Sequence, residues 1–105
     1  MDRIDALKSQ LDGPRDGALL RYSLGAALLD AGDATSAIMQ LRAALGFDAG
    51  YSAAWKLLGK ACLASGDATA AADAWQQGIA TAETHGDVQA AKEMRVFLAR
   101  LQRSG

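Results

Sequence analysis

The chain has 105 residues and a mass of 10.9 kDa, enough for one domain, and its formal net charge of −1 with a pI near 5.7 supplies no basic field to hold a nucleic-acid backbone. Half of the residues are hydrophobic but only 6% are aromatic, the excess being alanine, which favours close-packed helices over a sheet. One cysteine excludes an intramolecular disulfide, no apolar run reaches the ~20 residues of a membrane span, and Met1-Asp2-Arg3-Ile4-Asp5 is too charged to open a secretory signal; a cytoplasmic location with no membrane and no nucleic-acid partner is the expectation.

Residues 2–11 place Ile4, Leu7 and Leu11 on one face of a short helix, which Asp12-Gly13-Pro14 ends. From about Asp16 to Ala31 a second helix carries the stripe Leu20, Leu24 and Leu28, with Gly17, Arg21 and Gly25 beside it. Gly32 suits a left-handed helix stop, and the Asp33 carboxylate caps the next helix, Ala34 to about Leu45, which turns Ala37, Ile38, Leu41, Ala44 and Leu45 inward. Residues 46–50 are a link. A fourth helix from near Tyr51 to Gly66 buries Ala54, Trp55, Leu58, Gly59 and Cys62. Asp67 caps a fifth, which presents Ala68, Ala71, Ala72, Trp75, Gly78 and Ile79 and runs to about Thr84. After Gly86-Asp87 a last helix reaches about Arg103 with the stripe Val88, Ala91, Met94, Phe97/Leu98 and Leu101.

Part of this pattern recurs after 34 residues. Setting Ala18–Leu45 against Ser52–Ile79 gives nine identities: Leu24/Leu58, Gly25/Gly59, Ala27/Ala61, Leu29/Leu63, Gly32/Gly66, Asp33/Asp67, Ala34/Ala68, Thr35/Thr69 and Ala37/Ala71. Chance gives roughly two or three. An ungapped period of this length marks a stacked helical array. Gly25 and Gly59 each cost about 1 kcal/mol relative to Ala inside a helix, so close helix approach is expected there, with Ala37 and Ala71 facing them.

The second copy, Trp55-x2-Leu58-Gly59-x2-Cys62, Gly66-Asp67 and Ala71-x3-Trp75, resembles the tetratricopeptide repeat; the first gives Leu24-Gly25-x2-Leu28, Gly32-Asp33 and Ala37-x3-Leu41. Arg21 stands where that family usually has Trp, Cys62 where it has Tyr and Ala49 where it has Pro. The resemblance implies an all-α fold: a right-handed superhelical stack of antiparallel helix pairs, about six helices. It also implies a single domain over 1–105, with an N-terminal capping helix (2–12), two repeats (18–51 and 52–85) and a C-terminal capping helix (87–103). The expected work is binding another protein or peptide without catalysis, with no cofactor and no metal.

In such a stack the first helix of each pair lines the concave side. Removing the buried stripes leaves Leu19, Tyr22, Ala26 and Leu29 from one repeat and Ala53, Lys56, Lys60 and Leu63 from the other as the candidate groove. Lys56 and Lys60, one turn apart, could share one anionic group of a partner, or be an ordinary solvated pair. The subfamily that grips the C-terminal carboxylate of heat-shock chaperones uses Lys and Asn where this chain has Tyr22 and Ala26, so that activity is not carried over.

The remaining reactive side chains have structural readings. Cys62 lies in a buried stripe and reads as an inert thiol, His85 as a helix-end residue, Asp33, Asp67 and Asp87 as caps, and Trp55 and Trp75 as core. The leading expectation is an interaction module, an assembly factor or small chaperone among its forms. The alternative is a self-associating protein, a homodimer paired through end helices that carry Ile4 and Phe97.

Overall fold

The computed structural model describes residues 2–104; Met1, which opens the charged N-terminal stretch, and Gly105 lie outside the described residues. Six helices and no strand occur among the described residues: α1 (Arg3–Lys8), α2 (Ala18–Asp30), α3 (Ala34–Phe47), α4 (Ser52–Ala64), α5 (Ala68–Thr84) and α6 (Val88–Ser104). The all-α stack of antiparallel pairs expected from the repeat is the one observed. Its principal extents are 41 × 29 × 18 Å.

The punctuation works as the sequence indicates. Gly32, Gly66 and Gly86 have φ of 86°, 89° and 73°, a region in which a Cβ is penalised. Each lets the following N–H reach back to the helix just ended: Asp33 to the Leu28 carbonyl at 2.9 Å, Asp67 to Cys62 at 2.9 Å and Asp87 to Ala82 at 2.8 Å. The same three aspartates then accept from Ser36 N at 3.1 Å, Ala70 N at 3.0 Å and Ala90 N at 3.1 Å, satisfying a free amide of the next helix.

Packing adds to the expectation about the glycines. Ala37 does face Gly25, its carbonyl oxygen 3.4 Å from where a Cβ would stand, but the nearest atoms at both glycines belong to larger side chains. A Cβ on Gly25 would stand 2.8 Å from Leu41 Cγ, and one on Gly59 only 2.1 Å from Trp75 Nε1. The missing methyl is thus a slot for a bulky side chain from the partner helix. Gly78 repeats the device between α5 and α6, where a Cβ would meet Met94 Sδ at 2.4 Å.

The core comprises Leu24, Leu28, Leu41, Leu58, Cys62, Trp75 and Met94 with buried alanines, and Ile4, Leu7 and Leu11 of the N-terminal segment pack against it. Two residues assigned to inward stripes are outside: Ala68 is exposed and Val88 is 69% exposed. Both open a helix immediately after a Gly-Asp turn. Ala74 and Ala82 are buried further along α5 instead, while Trp55 is only half-buried, its indole donating to the Ala49 carbonyl at 2.9 Å.

Arg21, at the usual Trp position, holds a different junction. Its Nε and terminal nitrogen donate to the two carboxylate oxygens of Asp16 at 2.9 and 2.7 Å, and a third donor reaches Gln40 Oε1 at 3.2 Å. The guanidinium also lies 5.9 Å from the Phe47 ring centroid. This fork ties the loop before α2 to both helices of the first pair.

Candidate concave face and the groove between α4 and α6

Helix α4 touches both α2 and α6, whereas α3 and α5 make no contact with each other among the described residues. The layer α2–α4–α6 is therefore the inner side, and α3 and α5 splay apart on the outer side. This places the predicted first-helix residues on or beside the inner layer, and their environments there differ.

Leu19 is 70% exposed at the start of α2. Tyr22 and Leu29 are half-buried and pack on the core, the Tyr22 ring against Tyr51 at 5.1 Å between centroids. Ala26 and Ala53 are also half-buried. Lys60 and Leu63 are exposed and line a common groove with Phe97, Arg100 and Leu101 of α6 and Trp75 at its base. That groove has a volume of about 370 Å³. Leu19, Tyr22, Ala26, Leu29, Ala53 and Lys56 lie outside its lining.

Within the fold the two lysines have different nearest partners. Lys56 Nζ donates to the Glu93 carboxylate of α6, which also accepts from Gln89 Nε2 at 3.1 Å. The Lys56 hydrogen bond, then that of Gln89, holds the Glu93 carboxyl below its ordinary value. Lys60 Nζ instead lies 4.8 Å from the centroid of the Phe97 ring. Spacing along α4 predicted a pair; a carboxylate 37 residues away divides it.

Trp75 is 2% exposed and its indole N–H donates to the Lys56 carbonyl at 3.1 Å, while its ring lies against Phe97 at 5.5 Å. The base of the groove is thus a fixed aromatic surface. The contribution of α6 to this site was not drawn from the sequence, which assigned its stripe to capping. The available signal was the stripe itself: Phe97 and Leu101 continue the apolar face of α6, and both remain only partly covered.

Elsewhere the reactive groups occupy structural places. Cys62 is buried, which pushes its thiol up from the ordinary value. His85 ends α5 with its ring against Gly50, where a Cβ would stand 2.4 Å from Cε1. Ile4 and Phe97, named for end-to-end pairing, pack against the chain's own core. No helix among the described residues is long and apolar enough to cross a membrane.

Comparison with known proteins agrees with this architecture. The sequence profile of the tetratricopeptide repeat family matches residues 28–94. A protein of Pseudomonas aeruginosa described as containing such repeats is 54% identical over 101 residues, spanning 96% of each chain. The solution structure of a protein from Bordetella parapertussis superposes with a TM-score of 0.86 at 41% identity, covering 99% of this chain and 90% of the other. The crystal structure of MamA gives a TM-score of 0.71 at 20% identity, over 96% of this chain and 67% of that one, a likeness of fold alone.

Proposed function

This chain belongs to the tetratricopeptide repeat family, a family of protein–protein interaction modules, and from that premise we propose that it is a non-catalytic module holding an extended or helical segment of a partner protein against its α2–α4–α6 face. In this reading residues 18–51 and 52–85 are the two repeats, and the helices before and after them cover their ends. The observation that carries it is the open apolar groove at the inner layer, where Leu63 is 44% exposed beside Phe97 and Leu101. An assembly-factor or small-chaperone role is one form of this activity.

The test is a proton–nitrogen correlation spectrum of labelled protein, alone and with candidate partner segments. Shifts gathered on α2, α4 and α6 support the reading. Shifts confined to α3 and α5 refute it.

A second reading, self-association, has one observation in its favour: Val88 and Val96 of α6 are 69% and 47% exposed. Sedimentation equilibrium distinguishes it, since a mass that stays monomeric at all concentrations removes it.

A further inference from the structure

The groove between α4 and α6 combines an apolar base with positive charge at its mouth that no direct ion pair engages. Lys60 and Arg100 both line it and are both exposed. Neither has a carboxylate within 4.0 Å among the described residues, whereas Lys56 and Arg95 nearby are paired with Glu93 and Glu83. The Phe97 ring fixes the ammonium of Lys60 over the apolar wall. Because one aromatic contact leaves ammonium donors free, Lys60 can still receive an acceptor from a ligand.

The volume sets the size of what fits. At about 370 Å³ the groove lies at the lower end of the range of ligand pockets, on the order of 300–1,000 Å³, which suits one or two side chains and not a whole helix. Its base does not need to be organised on binding: Trp75 is held by the Lys56 carbonyl and seated in the slot at Gly59. A rigid aromatic base lowers the ordering cost of accepting an anchor.

We infer that this groove selects an internal acidic segment of a partner protein, with one bulky aromatic or aliphatic side chain entering between Leu63, Phe97 and Leu101 onto Trp75, and flanking carboxylates meeting Lys60 and Arg100. The inference rests on the interaction-module reading above and narrows it. Positive charge on both walls of an apolar slot supplies attraction for carboxylates and repulsion for basic segments, so it discriminates as well as binds.

The probe is a short peptide blocked at both termini, a phenylalanine flanked by glutamates, set against versions with lysine for glutamate and alanine for phenylalanine. Blocked ends remove any terminal carboxylate. The acidic phenylalanine peptide is expected to shift the amides of Lys60, Leu63, Phe97 and Leu101 and the indole N–H of Trp75. The indole N–H of Trp55, bonded to Ala49, stays in place. Binding weakens on the order of tenfold when the phenylalanine is removed, when lysines replace the glutamates, or when salt is raised well beyond physiological strength. The doubly substituted Lys60→Glu/Arg100→Glu protein, with helicity checked by circular dichroism, reverses the preference toward the lysine peptide.

Equal binding of the acidic and basic peptides overturns the inference, as does an unreversed preference in the double variant. Shifts on Tyr22 and Ala26 without shifts at Phe97 and Leu101 also overturn it, yet leave the interaction-module reading standing. Groove resonances that move on dilution without peptide assign the slot to a second copy of this chain and overturn it as well.

Discussion

Gly59→Ala is the substitution whose effect the packing fixes most sharply. The new Cβ would lie 2.1, 2.3 and 2.5 Å from Nε1, Cε2 and Cδ1 of Trp75. Ordinary carbon contacts begin near 3.5 Å, so the indole must retreat by about 1.4 Å. It is 2% exposed with the Phe97 ring against it, so its retreat must displace that ring towards the groove. Overpacking of this kind costs about 3 kcal/mol, and losing the bond to the Lys56 carbonyl adds about 1 kcal/mol. Replacing a helical glycine by alanine returns about 1 kcal/mol, leaving a net destabilisation of about 3 kcal/mol. For a chain of this size that lowers the melting temperature by about 10–20 °C.

Gly25→Ala is the internal comparison. There the Cβ meets Leu41 Cγ and Cδ2 at 2.8 and 2.9 Å, a displacement of about 0.6 Å that a leucine accommodates more readily. Overpacking of about 1–2 kcal/mol nearly cancels the propensity gain, giving a net loss of about 0–1 kcal/mol. Urea unfolding followed by circular dichroism measures both, and the Trp75 indole resonance reports the ring's position. Combining Gly59→Ala with Trp75→Phe removes the colliding nitrogen, so the two losses should be less than additive by about 2 kcal/mol. Strict additivity, or a Gly59→Ala protein as stable as the parent, refutes the argument that the glycine exists to seat the tryptophan.

Other outcomes follow from single contacts. Asp67→Ala removes the cap on Ala70 N and should cost about 1 kcal/mol in the same urea assay, while Asp67→Asn should cost much less. Cys62, buried and with its thiol raised, should react with a disulfide reagent only through opening of the fold; its rate should rise in urea in step with unfolding, and rapid labelling of native protein would contradict its placement. The Arg21 hydrogen bonds, then the Asp12 N–H, lower the Asp16 carboxyl from 3.8 to about 2. A carboxyl lowered by folding adds stability above its ordinary value and loses it as pH falls through the folded value. The urea midpoint should therefore drop between 3.8 and about 2, and Asp16→Asn should flatten that part of the profile.

The charge pattern on the inner face shows where reading along the chain stops. Lys56 and Lys60 sit one turn apart, and helical spacing alone makes them equivalent. Glu93 and Phe97 make them different, the first neutralising Lys56 and the second holding Lys60 at the groove mouth. Neither partner is within a helical turn of the lysines, so local periodicity carries no trace of the distinction. The groove has the same origin: its walls come from α4 and α6 and its base from α5, three separate helices.

What the sequence determined by itself is local chemistry. Helix boundaries follow from Gly32-Asp33, Gly66-Asp67 and Gly86-Asp87, because a left-handed stop and a carboxylate cap act within a few residues. The 34-residue period follows from identities that need no partner to be seen. Tertiary structure alone decided which bulky residue fills each glycine slot, which lysine remains unpaired, and that Ala68 and Val88 lie outside while Ala74 and Ala82 are buried. These depend on the length and offset of neighbouring helices, and a side chain's periodicity states its face without stating what, if anything, covers that face.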